Sequence, residues 1–173
     1  MRAILLAVCL VCASLAGANP AWAETREPET HFFQPKFGDF KAELQTAREQ
    51  GKKGVFLFFE MDDCAFCARM KATILNQPEV QDAYRADFLV YSVDVNGDVA
   101  MTDFAGRETT EKAFALEHRV RATPTMIFFD LDGRPVTRYT GPTRDVAEFL
   151  LLRRYVVEGA YASQPFAAYK RGP

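Results

Sequence analysis

Met61-Asp62-Asp63-Cys64-Ala65-Phe66-Cys67-Ala68-Arg69-Met70 is the stretch that decides how this sequence folds. It follows the apolar run Val55-Phe56-Leu57-Phe58-Phe59 and leads into Ala68 to Leu75, which is rich in helix formers. A Cys-x-x-Cys pair at a strand-to-helix junction is the sequence form of a dithiol redox site. A helix that begins near Cys64 sets its sulfur over unpaired backbone N–H groups and the positive end of the helix dipole. Both favour the thiolate, which is the species that attacks disulfides. Cys67 lies one turn along the same helix, in position to resolve a mixed disulfide. Cys64 and Cys67 are therefore the catalytic candidates.

The other two cysteines, Cys9 and Cys12, fall in a segment with the features of an export signal. Arg2 supplies the positive start, Ala3 to Ala16 is almost wholly apolar, and Ala21-Trp22-Ala23 offers small residues at a cleavage site. Residues 1–23 are expected to be removed after Ala23, and the remainder to reside in the periplasm. Two cysteines three positions apart close almost no loop and cannot staple a fold. In an oxidising compartment such a pair changes redox state rather than holding structure. The 173 residues carry 21 Lys and Arg against 23 Asp and Glu, a net charge of −2. That balance gives no reason to expect nucleic acid or an anionic membrane surface as a partner.

Outward from the cysteines, Val55–Phe59 reads as a central strand buried on both faces. Before it, Phe40, Leu44 and Ala47 recur at helical spacing, so residues 39–50 form an amphipathic helix stopped by Gly51. Residues 24–35 are polar, contain two prolines and show no apolar period, which reads as a flexible lead-in to a domain spanning 36–160. After Pro78 comes a helix to Ala86, then a second buried strand over residues 88–95. Residues 96–110 read as a loop or small excursion, and residues 111–119 as helix. Thr123-Pro124-Thr125 leads into a strand over 126–130, and Asp132-Gly133 marks a hairpin to a returning strand over 135–139. Thr143 is placed to cap a last helix, residues 144–158, ended by Gly159. Tyr161, Phe166 and Tyr169 in the tail, 161–173, are expected to pack back on the domain. Strands that alternate with helices imply parallel pairing, with the hairpin adding an antiparallel edge. The fold class is α/β, a mixed central sheet of about four strands flanked by helices on both faces.

Cys64-Ala65-Phe66-Cys67 after a strand, Thr123-Pro124 before the next core strand, and a terminal hairpin plus helix together resemble the thioredoxin fold. More closely the chain resembles the exported SoxW-type thioredoxins linked with bacterial sulfur oxidation. Asn76-Gln77-Pro78-Glu79-Val80, Gly97-Asp98 with Thr102-Asp103-Phe104, Thr123-Pro124-Thr125 and Tyr155-Val156-x-x-Gly159-x-Tyr161 carry that finer likeness. The resemblance implies that Cys64 attacks and Cys67 resolves. It also implies that Pro124 is cis and that the Thr123 backbone pairs with an extended substrate segment. The departures from thioredoxin are specific. Asp63 stands where thioredoxin has tryptophan, and a carboxylate there opposes the thiolate. Ala65-Phe66 replaces Gly-Pro, and the buried acid of the preceding strand falls at Phe58. Glu60 is the substitute proton acceptor for Cys67.

Blander readings stand beside these. Asp62 and Asp63 also suit a solvated helix start, Glu60 a salt-bridged strand end, and Phe66 an exposed aromatic that either grips substrate or does nothing. Zinc needs four ligands, and only His31 and His118 remain as strong donors beside the two cysteines. Met61 and Met70 flank the cysteines and raise a copper-binding chaperone as an alternative, although methionine beside a core is usually packing. The expected function is a thiol–disulfide oxidoreductase, a reductase or electron carrier for protein disulfides. It works as a monomer with no cofactor or metal and is recharged by a membrane thiol-reductant donor. A disulfide-introducing oxidase is the other alternative.

Overall fold

The computed structural model of the chain describes residues 24–36 and 38–172. Strand β1, Gly54–Glu60, is the centre of the molecule, and its first six residues are fully buried. Alternation along it feeds two separate cores, as the two-residue period of a strand requires. Val55, Leu57 and Phe59 point to one face, with Phe40, Leu44 and Ala47 of α2 (Phe40–Glu49) and Phe114 of α5 (Glu111–Glu117). Phe56 and Phe58 point to the other, among Met70, Leu75, Val80, Tyr84, Phe149 and Leu152. Those residues come from α3 (Ala65–Met70) and its continuation, from α4 (Pro78–Asp87) and from α6 (Val146–Val157).

The sheet has four strands in the order β2-β1-β5-β6, with β2 at Phe88–Asp94, β5 at Thr125–Phe129 and β6 at Pro135–Thr140. β1 and β2 are parallel, joined through α3 and α4. β5 runs antiparallel to β1, where alternation with helices suggested a parallel neighbour. The length of α5 explains the reversal. Its seven residues span about 10 Å, less than half of the roughly 23 Å that a seven-residue strand such as β2 covers. So short a crossover does not return the chain to the far end of the sheet. β5 therefore starts at the end where β1 and β2 finish, and this is the end that carries the cysteines.

Three local expectations are corrected. Residues 24–35 are not a loose lead-in: α1 (Pro28–His31) forms there, Phe32 and Phe33 are buried, and the Gln34 amide donates to the Val90 carbonyl at 2.8 Å. Two adjacent phenylalanines have no helical or strand period, yet a chain that crosses the core edge on leaving a turn of helix can bury both. Residues 96–110 hold an antiparallel pair, β3 (Ala100–Thr102) and β4 (Glu108–Thr110), instead of a plain loop. Asp145, not Thr143, caps α6, accepting from the Glu148 amide at 2.8 Å. Beyond α6, Gly159 takes a left-handed φ of 69°. Tyr161, Phe166 and Tyr169 then gather around Tyr155 at centroid distances of 5.2 to 6.5 Å. Among the described residues no helix is long and apolar enough to cross a membrane. The expected export signal, residues 1–23, lies outside the described residues.

Candidate active site

β1 ends at Glu60, and a turn in which the Cys64 amide donates to the Met61 carbonyl carries the chain over to α3. Cys64 is the N-cap of α3, with extended backbone angles, and its Sγ accepts the Cys67 amide at 3.1 Å. The sequence places a cysteine where Ser, Thr or Asp usually caps, so the sulfur occupies the position of a capping oxygen. Cys64 and Cys67 are joined as a disulfide, with Cα atoms 5.2 Å apart. Both cysteines are buried, Cys64 at 6 % and Cys67 at 2 % exposed.

Both cysteines line a cavity of about 220 Å³ whose other walls are Glu60, Met61, Asp62, Ala68, Lys71 and Asp94. Glu60 and Asp94 are register partners at the ends of the parallel strands β1 and β2, which sets two carboxylates side by side at the cavity floor. Lys71 follows Cys67 by four residues and so projects from the same helix face. Its ammonium lies 2.7 Å from Glu60 Oε2 and 2.6 Å from Glu29 Oε1. Burial opposes the charge on Lys71, but the hydrogen bonds to Glu29 and Glu60 outweigh it and raise its pKa. Lys36, nearby, donates to the Ser92 carbonyl at 3.0 Å and pairs with Glu111. Burial lowers the Lys36 pKa, against the pull of Asp94 and Glu60.

The helix expected to run on from Ala68 to Leu75 widens instead into a π turn over Lys71–Leu75. Thr73 Oγ1 donates to the Arg69 carbonyl at 2.8 Å across this change of pitch, a back-bond of the kind that bends helices. Such turns recur at functional sites.

The other sequence candidates fall around the same end of the molecule. The Thr123–Pro124 bond is cis, as the resemblance implied, and Pro124 is buried directly before β5. Thr125 pairs with Phe59, so this bond lies just past the end of β1, on the side where the chain turns toward Cys64. The Pro124 carbonyl accepts the Gly141 amide at 2.8 Å. Phe66 is 53 % exposed, with the Arg69 guanidinium 5.2 Å from its ring centre. Asp62 lines the cavity, whereas Asp63 is exposed in the turn. Glu60 is in the cavity wall and salt-bridged at once, so the two readings of that residue describe one arrangement.

Met61 stands at the rim, 37 % exposed, while Met70 is fully buried in the core, where its role is packing. Among the described residues no three His, Cys, Asp or Glu side chains converge as a metal centre would require. Asp94 and Lys71 were missed from sequence. The Cys67-to-Lys71 spacing was the only available signal for Lys71, and Asp94 needed the strand register.

The model of the thioredoxin-like domain family matches residues 40–156. Among solved structures, the chain is similar to a thioredoxin from Thermus thermophilus at 29% identity and TM-score 0.56, covering 73% of this chain and 90% of that one. It is similar to the C-terminal domain of DsbD from Neisseria meningitidis, in the reduced form, at 25% identity and TM-score 0.50, covering 65% and 89%. A thioredoxin-fold protein from Helicobacter pylori shares the fold at 22% identity and TM-score 0.57, covering 69% and 83%. No curated protein matches the chain.

Proposed function

The chain belongs to the thioredoxin-like domain family, and from that premise we propose that it is an exported, periplasmic thiol–disulfide oxidoreductase of the SoxW type that reduces protein disulfides. The observation that carries this reading is the capping geometry: Cys64 Sγ, at the start of α3, accepts the Cys67 amide, and both cysteines line one cavity. The Cys64 thiolate attacks one sulfur of a substrate disulfide, and the other sulfur leaves as a thiolate. Cys67 gives its proton to Glu60 and attacks the Cys64 sulfur, which releases the second substrate thiolate. The Cys64–Cys67 disulfide forms as the substrate gains two electrons, and the Glu60 proton passes on through the cavity to solvent.

Thr123 and the cis Pro124 present backbone to an extended substrate, and Phe66 offers it an apolar contact. The oxidised protein is recharged by a membrane thiol donor, as the SoxW likeness implies, and it works as a monomer. The likeness to the Neisseria meningitidis DsbD domain and to the Thermus thermophilus thioredoxin supports protein disulfides as the partners.

Cys67→Ser is expected to trap mixed disulfides with substrate and Cys64→Ser is not, read on non-reducing gels with a disulfide-bonded test protein. Equal trapping by both variants overturns the assignment of the attacking sulfur. A reduction potential well above that of glutathione, measured by equilibration with it, would turn the reading to the oxidase.

A further inference from the structure

Residues 24–36 lie before the segment matched by the family, 40–156, yet they close on the dithiol site. Phe33 packs at a centroid distance of 5.8 Å against Phe58, the residue at the strand position where the thioredoxin resemblance places a buried acid. Three further bonds fix the arm. The Arg26 amide donates to the Asn76 carbonyl and Gln81 Nε2 to the Arg26 carbonyl, both at 2.9 Å, and Arg26 pairs with Asp82 at 2.8 Å. Glu29, on α1, is thereby brought to Lys71, which in turn meets Glu60.

We propose that this arm is a working part of the redox site. Through Glu29 it clamps Lys71 against Glu60, and Glu29 and Lys71 are positioning residues for the acid that takes the Cys67 proton. The inference rests on the Glu60 role given above. Lys71 alone is a point charge on a flexible stem with many orientations. Two carboxylates, Glu29 and Glu60, hold its ammonium, and the Phe33 ring centre lies 5.6 Å away. The Glu60 side chain is 15% exposed, where an uncompensated carboxylate is costly. With the ammonium held at 2.7 Å, the Glu60 carboxylate has a fixed partner in the cavity that the two cysteines also line. The groups facing Glu60 are Lys71 from the widened helix, Glu29 from α1, Asp94 from β2, Lys36 after α1, Asp62 from the turn, and the two cysteines.

The test is the rate at which Cys67 resolves the Cys64 mixed disulfide, formed by mixing the full reduced protein with a disulfide-linked fluorescent peptide, measured from pH 4.5 to 8. Glu60→Gln removes the acid limb of this profile. Lys71→Met moves the limb up by about one pH unit, a tenfold loss of rate at fixed pH on the limb. Lys71→Arg restores the wild-type profile. Glu29→Gln, which removes a half-exposed partner, gives a loss of about twofold on the limb. If Glu60→Gln acts while Lys71→Met overlays the wild type, the clamp is overturned and the Glu60 reading stands. A Glu29→Gln profile identical to wild type removes the arm from the site. If Glu60→Gln leaves the limb in place, the Glu60 reading fails and the clamp falls with it. Matching circular dichroism and urea midpoints for Lys71→Arg and Lys71→Met separate these outcomes from misfolding.

Discussion

Replacing Phe32 with Ala tests whether residues 24–36 belong to the folded unit. The ring is fully buried, with Phe33, Phe56, Tyr84 and Phe149 at centroid distances of 5.1 to 6.1 Å, between β1 and the helices α4 and α6. Loss of a fully packed phenylalanine, transfer term and cavity together, costs about 3–5 kcal/mol. That is a fifth or more of the roughly 5–15 kcal/mol that holds a domain of this size. With a urea slope of about 2 kcal/mol/M, the unfolding midpoint falls by about 1.5–2.5 M. An arm that detached as a separate unit would limit the loss to its own docking free energy. The slope distinguishes the two cases: a docked arm leaves it unchanged, whereas an arm already undocked in the variant exposes its area beforehand and lowers it. Urea titrations of wild type and Phe32→Ala, both oxidised, decide the matter. A loss under about 1 kcal/mol, the range of surface substitutions, would refute the packing argument and with it the placement of Glu29.

Gly54→Ala should destabilise by at least about 2 kcal/mol in the same titration. Gly54 has a φ of 158°, and a Cβ there would overlap the Phe129 carbonyl oxygen of the neighbouring strand. A change within about 0.5 kcal/mol would mean that β1 and β5 can separate locally at no cost. His118 should make stability fall on mild acidification. Burial between Phe114 and Phe129 lowers its pKa, with Glu117 and Asp103 opposing and Arg138 and Arg107 adding to the effect. The unfolded chain then binds the proton first, so stability is complete above about pH 6.5 and is lost as pH drops toward the folded pKa. His118→Phe should flatten the urea midpoint between pH 7 and 5, and an unchanged slope there would contradict the assignment.

The central strand, the cysteine turn and the Asp-Gly hairpin were legible because each is a local pattern with one physical solution. Val55–Phe59 is apolar throughout because both faces of β1 are covered. Cys64 and Cys67 form a disulfide because a helix turn brings positions i and i+3 together. The direction of β5 was not legible from alternation. It depends on how far α5 carries the chain, a matter of length, whereas the hydrophobic pattern fixes only which side faces inward. The arm was misread for a related reason. Phe32 and Phe33 have no period of their own, and their burial is dictated by a surface assembled from β1, α4 and α6. Asp94 joins the cavity only through its pairing with Glu60 across β1 and β2, a register that neither segment encodes alone.

The proposed asymmetry between the two sulfurs can be traced to one interaction by comparing magnitudes. α3 has six residues before it widens, and a helix terminus contributes about 0.3–1 kcal/mol to a nearby exposed charge. Asp62 and Asp63 oppose a thiolate, but both carboxylates are exposed, and interactions between charges at the surface are worth about 0–1 kcal/mol. These two effects nearly cancel. A hydrogen bond to a charged acceptor is worth about 1.5–3 kcal/mol, and the Cys67 amide, 3.1 Å from Cys64 Sγ in the disulfide, is placed to give one to the thiolate. In the proposed mechanism the backbone donor therefore selects Cys64 as the attacking sulfur, and the acidic turn does not prevent it. That leaves Glu60 and Lys71 the proposed later step, the deprotonation of Cys67. Cys67 lines the same cavity as Glu60 and Lys71.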